Sequence, residues 1–288
     1  MLTRIITGVI GIAIAVAVIT VGGQVFNAAV AFLAAAAWYE YQKMVKSKGY
    51  NAYNLTGGVG VLLLVAMAGT GIEGVYMLAF MLMLTTLFFV FSAIEGLWRH
   101  CNRGEQHWAE SSALTAWGML YCGLLFSHII LMRSFDGGPH IDLGFRVFEY
   151  GEICLWIVLL GTWASDTFAY FFGRAFGKTP FCSVSPKKSF EGAVCGFVCS
   201  FITVLFLCIV CLGIALWHAV MVALAVAFFA PVGDLVESII KRSFDIKDSG
   251  KLFPGHGGVL DRFDSVLFTV PVVYYLLMFI SILSMYQE

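Results

Sequence analysis

The sequence predicts an all-α polytopic membrane protein, and three observations carry that prediction. Of 288 residues, 60% are hydrophobic and 12% are charged, about half the charged fraction of a soluble domain, and mean hydropathy is +0.89. The apolar residues gather into runs close to the roughly 20 residues that cross a hydrocarbon core. Basic residues fall almost wholly in alternate gaps between those runs. The same composition excludes other classes: the apolar fraction is too high for a disordered chain, the glycines have no three-residue period, and 8 cysteines are too few for a disulfide scaffold.

Nine apolar segments are expected to span, at about 5 to 22, 25 to 42, 54 to 71, 75 to 97, 113 to 132, 152 to 173, 190 to 212, 214 to 240 and 264 to 286. The division between the seventh and eighth falls near Gly213, within one long apolar run from Ala193 to Pro231. Arg4 ahead of the first run has the look of a secretory signal, but no short apolar region ending at a cleavage site follows, so an uncleaved first span is expected. Residues 1–150 then form an N-terminal region of about five spans, and residues 151–288 a catalytic region of about four.

Lys and Arg stay on the cytoplasmic side in short loops. With a cytoplasmic N-terminus, nine spans put 15 of the 17 Lys and Arg on that side, leaving Arg133 and Arg146 in a loop that also carries Asp136, Asp142, Glu149 and Glu152. A missed or extra span would scramble this asymmetry. The C-terminus is therefore expected outside. Two cytoplasmic loops concentrate nine of the basic residues beside glycines and carboxylates. A polybasic surface that merely touches anionic lipid is the bland alternative.

The cysteines lie mostly inside spans without a histidine to complete a zinc set, and read as small packing residues. Trp38 and Tyr41 read as interfacial anchors or packing. Gly192 and Gly196 form a small-xxx-small step that supports close helix packing, and a dimer only weakly.

Carboxylates at membrane depth cost on the order of 2.5 to 3.5 kcal/mol each, so each needs a partner or a role. The sixth span carries Asp166. The eighth carries Asp234, Glu237, Ser238 and Lys241, whose spacing of i, i+3, i+4 and i+7 places them on one helical face. A structural ion pair of Asp234 or Glu237 with Lys241 would also account for that face.

The stretch from Lys241 to Asp264, KRSFDIKDSGKLFPGHGGVLDRFD, combines cations, glycines and carboxylates. Glycines let backbone N–H groups approach phosphate oxygens, Lys and Arg neutralise them, and carboxylates hold a bridging divalent ion. Asp261 and Asp264 share a face at the start of the ninth span, where one of them also suits a helix cap. With Asp234, they form an oxygen-ligand set suited to Mg²⁺. His256 either donates to a phosphate or finishes a turn. The loop after the sixth span, GRAFGKTPFCSVSPKKSFEG, is not a P-loop, because three residues separate Gly173 from Gly177 where four are needed and no strand precedes it. It is a cationic loop, Arg174, Lys178, Lys187 and Lys188, with Ser185 and Ser189 as candidate phosphate donors. A solvated basic loop is its plain alternative.

The run from Ser238 through Lys241, Arg242, Lys247, Asp248, Gly250, Phe253, Pro254, His256, Gly257, Gly258, Asp261 and Arg262 to Asp264 resembles the signature of the phosphatidate cytidylyltransferases, also called CDP-diglyceride synthases. A second block, SDTFAYFFGRAFGKTPFCSVSPKKSFEG from Ser165 to Gly192, also resembles that family. Ser165 stands where the family has Ala, and Lys187, Lys188, Ser189 and Phe190 replace its Gly-Lys-Thr-Trp or Lys-Lys-Thr-Trp. Over the N-terminal half the likeness is loose, amounting to Arg4 and the Trp38, Glu40 pair. The resemblance implies that CTP and phosphatidic acid give CDP-diacylglycerol and pyrophosphate, with Mg²⁺, at a cytoplasm-facing cavity in a multi-span homodimer.

On that reading Asp234 and Asp261 bind Mg²⁺, with Asp264 completing a site for a second cation. Lys241, Arg242, Lys247 and Arg262 hold the triphosphate or the lipid phosphate. Lys187, Lys188 and Ser189 take the other anion; the residues leave open which loop takes which. Asp166, Ser238, Asp248, His256, Gly257 and Gly258 complete the expected substrate-binding set. The expected setting is a bacterial inner membrane, with no nucleic-acid partner. The rivals are an ion-coupled transporter, which predicts an inverted repeat that is not evident, and a related membrane enzyme using CTP on another lipid.

Overall fold

The computed structural model describes residues 2–72, 74–142, 144, 146–182, 185, 188–250, 252–253 and 257–285. Among these described residues the chain forms nine helices and one short ribbon: α1 (Leu2–Val21), α2 (Gly23–Ser47), α3 (Asn54–Ala68), α4 (Gly74–Arg103), α5 (Trp108–Arg133), α6 (Tyr150–Phe176), α7 (Phe190–Leu212), α8 (Leu216–Ser243) and α9 (Leu260–Met285). The ribbon pairs β1 (Ile141–Asp142) with β2 (Val147–Phe148), antiparallel, with Ile141 opposite Phe148.

Helices α4 to α9 are each long and apolar enough to cross a membrane, and Ile6–Val21 and Asn54–Ala68 are apolar but shorter. The protein is an all-α polytopic membrane protein. Helix bounds run past the apolar runs wherever a polar helical turn continues them. Thus α2 extends through Lys43 and Lys46, α4 through Arg103, and α9 begins at Leu260, ahead of Asp261 and Asp264. The break between α7 and α8 lies at Gly213, where φ is 62°, a left-handed conformation that costs glycine little.

By packing, the chain divides into two compact units. Unit 1 comprises Met1–Leu131 and Lys241–Arg262; unit 2 comprises Met132–Ile240 and Phe263–Glu288.

In unit 1, glycines form sockets for aromatic rings. Trp38 of α2 lies against Gly57 and Gly58 of α3, and Tyr41 against Gly118 of α5. The Tyr41 hydroxyl donates to the Leu114 carbonyl at 2.9 Å, and its ring stacks on Trp38 with centroids 5.9 Å apart. Both aromatics are buried, so they serve packing. A π-helical turn at Leu120–Leu124 widens α5 beside Val61 of α3.

In unit 2, α6 and α7 close on small residues. A Cβ at Gly192 would meet the Ala169 carbonyl at 2.6 Å, and one at Gly196 the Ser165 carbonyl at 2.6 Å. The small-xxx-small step therefore serves packing within the chain. Arg133 and Arg146, the two basic residues outside the charge pattern, are both paired with Glu152, which is fully buried, and Arg133 also with Glu149. All eight cysteines are free thiols.

Candidate functional site

Unit 2 contains a cavity of about 630 Å³ between α6, α8 and the loop that leads into α7. Helix α6 contributes Asp166, Tyr170 and Arg174, the loop Ser185 and Lys188, and α8 Asp234. The loop is shaped by its own polar groups. Glu191, in the first turn of α7, accepts from the Lys178 and Thr179 amides at 3.1 and 3.2 Å and from the Thr179 hydroxyl at 2.9 Å. The Phe181 amide donates to Lys188 O at 2.8 Å, and the Phe190 amide to Thr179 O at 2.9 Å. Ser189 caps α7 by accepting from the Gly192 amide at 3.2 Å. Held this way, Lys188 forms an ion pair with Asp234.

Next along α8, Gly233 lets α9 approach closely: a Cβ there would run into the Asp264 carbonyl and lie 3.0 Å from Ser265 Cα. Only glycine allows that approach. It brings the turns carrying Asp234 and Asp264 side by side. The sequence-expected residues Asp166, Lys188, Ser189 and Asp234 thus share one cavity, and Asp264 belongs to the helix turn packed beside Asp234.

Unit 1 contains the second centre, built around Asp261. Its Oδ1 accepts from Lys241 Nζ at 2.7 Å. Its Oδ2 accepts from the Ser249 amide at 3.0 Å, the Ser249 hydroxyl at 2.9 Å and the Gly258 amide at 2.8 Å. Three of these contacts fall on Oδ2 and one on Oδ1, where a carboxylate offers about two lone-pair sites per oxygen. Lys241 therefore pairs with Asp261, a carboxylate outside its own helix. Gly257 has φ 89°, which a residue with a side chain adopts only under strain, and its carbonyl accepts from the Phe253 amide at 3.0 Å.

Beside Asp261 lies a residue that the charge and glycine patterns did not single out as part of the site. Glu40 of α2, 4% exposed, accepts from the Val259 amide at 3.0 Å, the Leu260 amide at 3.1 Å and the Ser249 hydroxyl at 3.2 Å. Gly250 and Gly258 leave no room for a Cβ because the Glu40 carboxylate fills that space. The glycine-rich stretch thus does gather backbone N–H groups around anions, as its composition predicts, but here the anions are carboxylates of the chain itself.

The other expected residues are placed as follows. The Arg242 guanidinium donates to Ile246 O at 2.8 Å, tying it to its own loop. Lys247, Asp248 and Arg262 are exposed, and Ser238 is half-buried. Lys187 and His256 lie outside the described residues. Glu191 and Tyr170 also belong to this site, though charge and spacing do not single them out. An acidic residue directly after a basic loop was the available signal for the first.

Fold and site together define a polytopic membrane protein with two lysine–aspartate centres, one in each unit, flanked by cationic loops. The model of the cytidylyltransferase family matches residues 2–280, and the chain belongs to that family. "Phosphatidate cytidylyltransferase 4, chloroplastic" of Arabidopsis thaliana is 35% identical over 287 residues, covering 94% of this chain and 72% of that protein. The phosphatidate cytidylyltransferase of Synechocystis sp. is 32% identical over 295 residues, covering 94% of each. That of Bacillus subtilis is 36% identical over 164 residues, covering 56% of each.

Proposed function

We propose that this chain transfers a cytidylyl group from CTP to phosphatidic acid, forming CDP-diacylglycerol and pyrophosphate for phospholipid synthesis. A phosphate oxygen of the lipid bonds to the α-phosphorus of CTP as the bond from that phosphorus to the α,β-bridging oxygen breaks. The observation that carries this reading is the cavity of unit 2, where a lysine–aspartate pair and Arg174 stand beside apolar spans, in a chain similar to proteins named for this reaction.

Both reactants are anions, so the protein's task is to bring them together and absorb charge as the leaving group departs. Lys188 with Ser189 in one loop, and Lys241, Arg242, Lys247 and Arg262 in the other, are the candidate anion-binding groups. Lys187, Asp166, Ser238, Asp248, His256, Gly257 and Gly258 belong to the same proposal. Phosphatidic acid is already nucleophilic at neutral pH, so no general base is assigned.

Mg²⁺ fits the donor set. Among the described residues no group of three or more His, Cys, Asp and Glu stands ready to hold a metal. Mg²⁺ asks for less, using one or two carboxylates together with waters and substrate phosphates. Asp234, Asp261 and Asp264 are the ligands we assign, with Asp264 completing a two-cation site. When bound, the ion would neutralise phosphate oxygens and the developing charge on pyrophosphate.

The proposed setting is a bacterial inner membrane with the active site toward the cytoplasm, nine spans, the N-terminus inside, the C-terminus outside, and a homodimeric assembly. Residues 151–288 would carry most of the catalytic groups. Reporters fused in the loop before α7 and at the C-terminus should lie on opposite sides of the membrane; the same side for both would refute the span count.

Incubating purified protein with labelled CTP, Mg²⁺ and phosphatidic acid tests the reaction. Labelled CDP-diacylglycerol with released pyrophosphate is the expected product. A product formed only with another lipid acceptor would favour a different CTP-using enzyme, and no chemistry at all would favour a transporter.

A further inference from the structure

We infer that Glu40 is a positioning residue, the buried brace that fixes the turn from which Asp261 and Arg262 project. The inference rests on the proposed reaction and on those two residues serving it. Within unit 1, contacts join α2 to the start of α9 across more than 200 residues of chain.

A helix N-terminus leaves its first amides without intrahelical partners. At the start of α9 these amides are taken by two carboxylates: Gly258 N–H by Asp261, and Val259 and Leu260 N–H by Glu40. Asp261 is thus held from its own turn, while Glu40 reaches it from 219 and 220 residues earlier in the sequence. The Ser249 hydroxyl lies between the two, 3.2 Å from Glu40 Oε2 and 2.9 Å from Asp261 Oδ2. A hydroxyl carries a single proton, so it donates to one carboxylate at a time and couples their positions.

The rest of the same helical end supports the brace. Phe244 packs edge-on to the Tyr41 ring at 6.4 Å, the Ser47 hydroxyl donates to Phe244 O at 3.3 Å, and Lys48 pairs with Asp245. Asp245 itself has φ 56°, an uncommon conformation outside glycine. Glu40 and Ser47, seven residues apart, share one face of α2, and Tyr41 lies on the adjoining face with Lys48 just past the helix end. None of these residues needs to touch substrate. Their effect would pass through the placement of Asp261 and Arg262, where an error of about 1 Å costs up to about a hundredfold in rate.

The test uses the full chain in detergent or nanodiscs, as wild type, Glu40→Gln and Glu40→Ala. Turnover should fall about tenfold or more in Glu40→Ala and less in Glu40→Gln, which keeps one acceptor oxygen, while KM for both substrates moves less than about threefold, because an interaction felt in the transition state is lost. Hydrogen exchange should quicken in peptides covering residues 249–262 and stay unchanged in α6 and α7. Unchanged turnover in Glu40→Ala would overturn the inference. So would faster exchange spread over all spans, the mark of a purely structural loss, or unchanged exchange at 249–262. If wild type itself transferred no cytidylyl group, the proposed reaction would fail on its own account, and exchange at 249–262 would still decide whether Glu40 braces that turn.

Discussion

The two lysine–aspartate pairs have similar chemistry and opposite surroundings. Lys188 and Asp234 in unit 2 are 37% and 24% exposed at the rim of a cavity. Lys241 and Asp261 in unit 1 are 13% and 8% exposed, and Asp261 receives three further hydrogen bonds from its own loop. On the proposed reaction the open pair would exchange partners when a substrate arrives, whereas the closed pair has its geometry built into the backbone. One carboxylate thus reads as a contact for ligands, the other as a contact for ligands that also holds the loop together.

Substitutions separate those roles. Asp261→Asn should have the largest effect: turnover falls at least about a thousandfold, and stability drops by about 3 kcal/mol because breaking a buried ion pair strands Lys241. The protein should still insert and fold, which size-exclusion chromatography and thermal unfolding would check. Asp234→Asn should lose turnover comparably yet change stability by less than about 1 kcal/mol, as expected of a solvent-accessible pair. Equal destabilisation by both would erase the contrast. Lys188→Ala should do least, raising KM about tenfold for one substrate with little change in stability, since a removed ground-state contact appears in KM. The substrate whose KM rises is the one the loop before α7 holds, and an unchanged KM for both would remove that loop from binding.

Much of this was legible in the sequence because it rests on local pattern. Long apolar runs mark the helices, Gly213 marks the break between α7 and α8, and charges in or beside apolar spans single out Asp166, Lys188, Ser189 and Asp234 one by one, though not their meeting in one cavity. What was not legible is non-local. Glu40 meets Ser249, Val259 and Leu260 across more than 200 residues, and no periodicity links α2 to that loop. Composition alone makes the glycines at 250 and 258 openings for phosphate, whereas the Glu40 carboxylate occupies the space beside them. Lys241 pairs with Asp261, a partner that spacing along α8 does not point to. Glu191 takes its amide donors from Lys178 and Thr179, 13 and 12 residues back along the loop, which no helical spacing encodes.

The central claim is that carboxylates of α8 and α9 hold a hard divalent cation for two anionic reactants. Binding of Mn²⁺ as a Mg²⁺ substitute, followed by electron paramagnetic resonance on the purified protein with CTP present, tests it most directly. The account predicts a protein-bound Mn²⁺ signal in wild type that is lost in Asp234→Asn and in Asp261→Asn, each shown to be folded. Undiminished Mn²⁺ binding in both variants would contradict it.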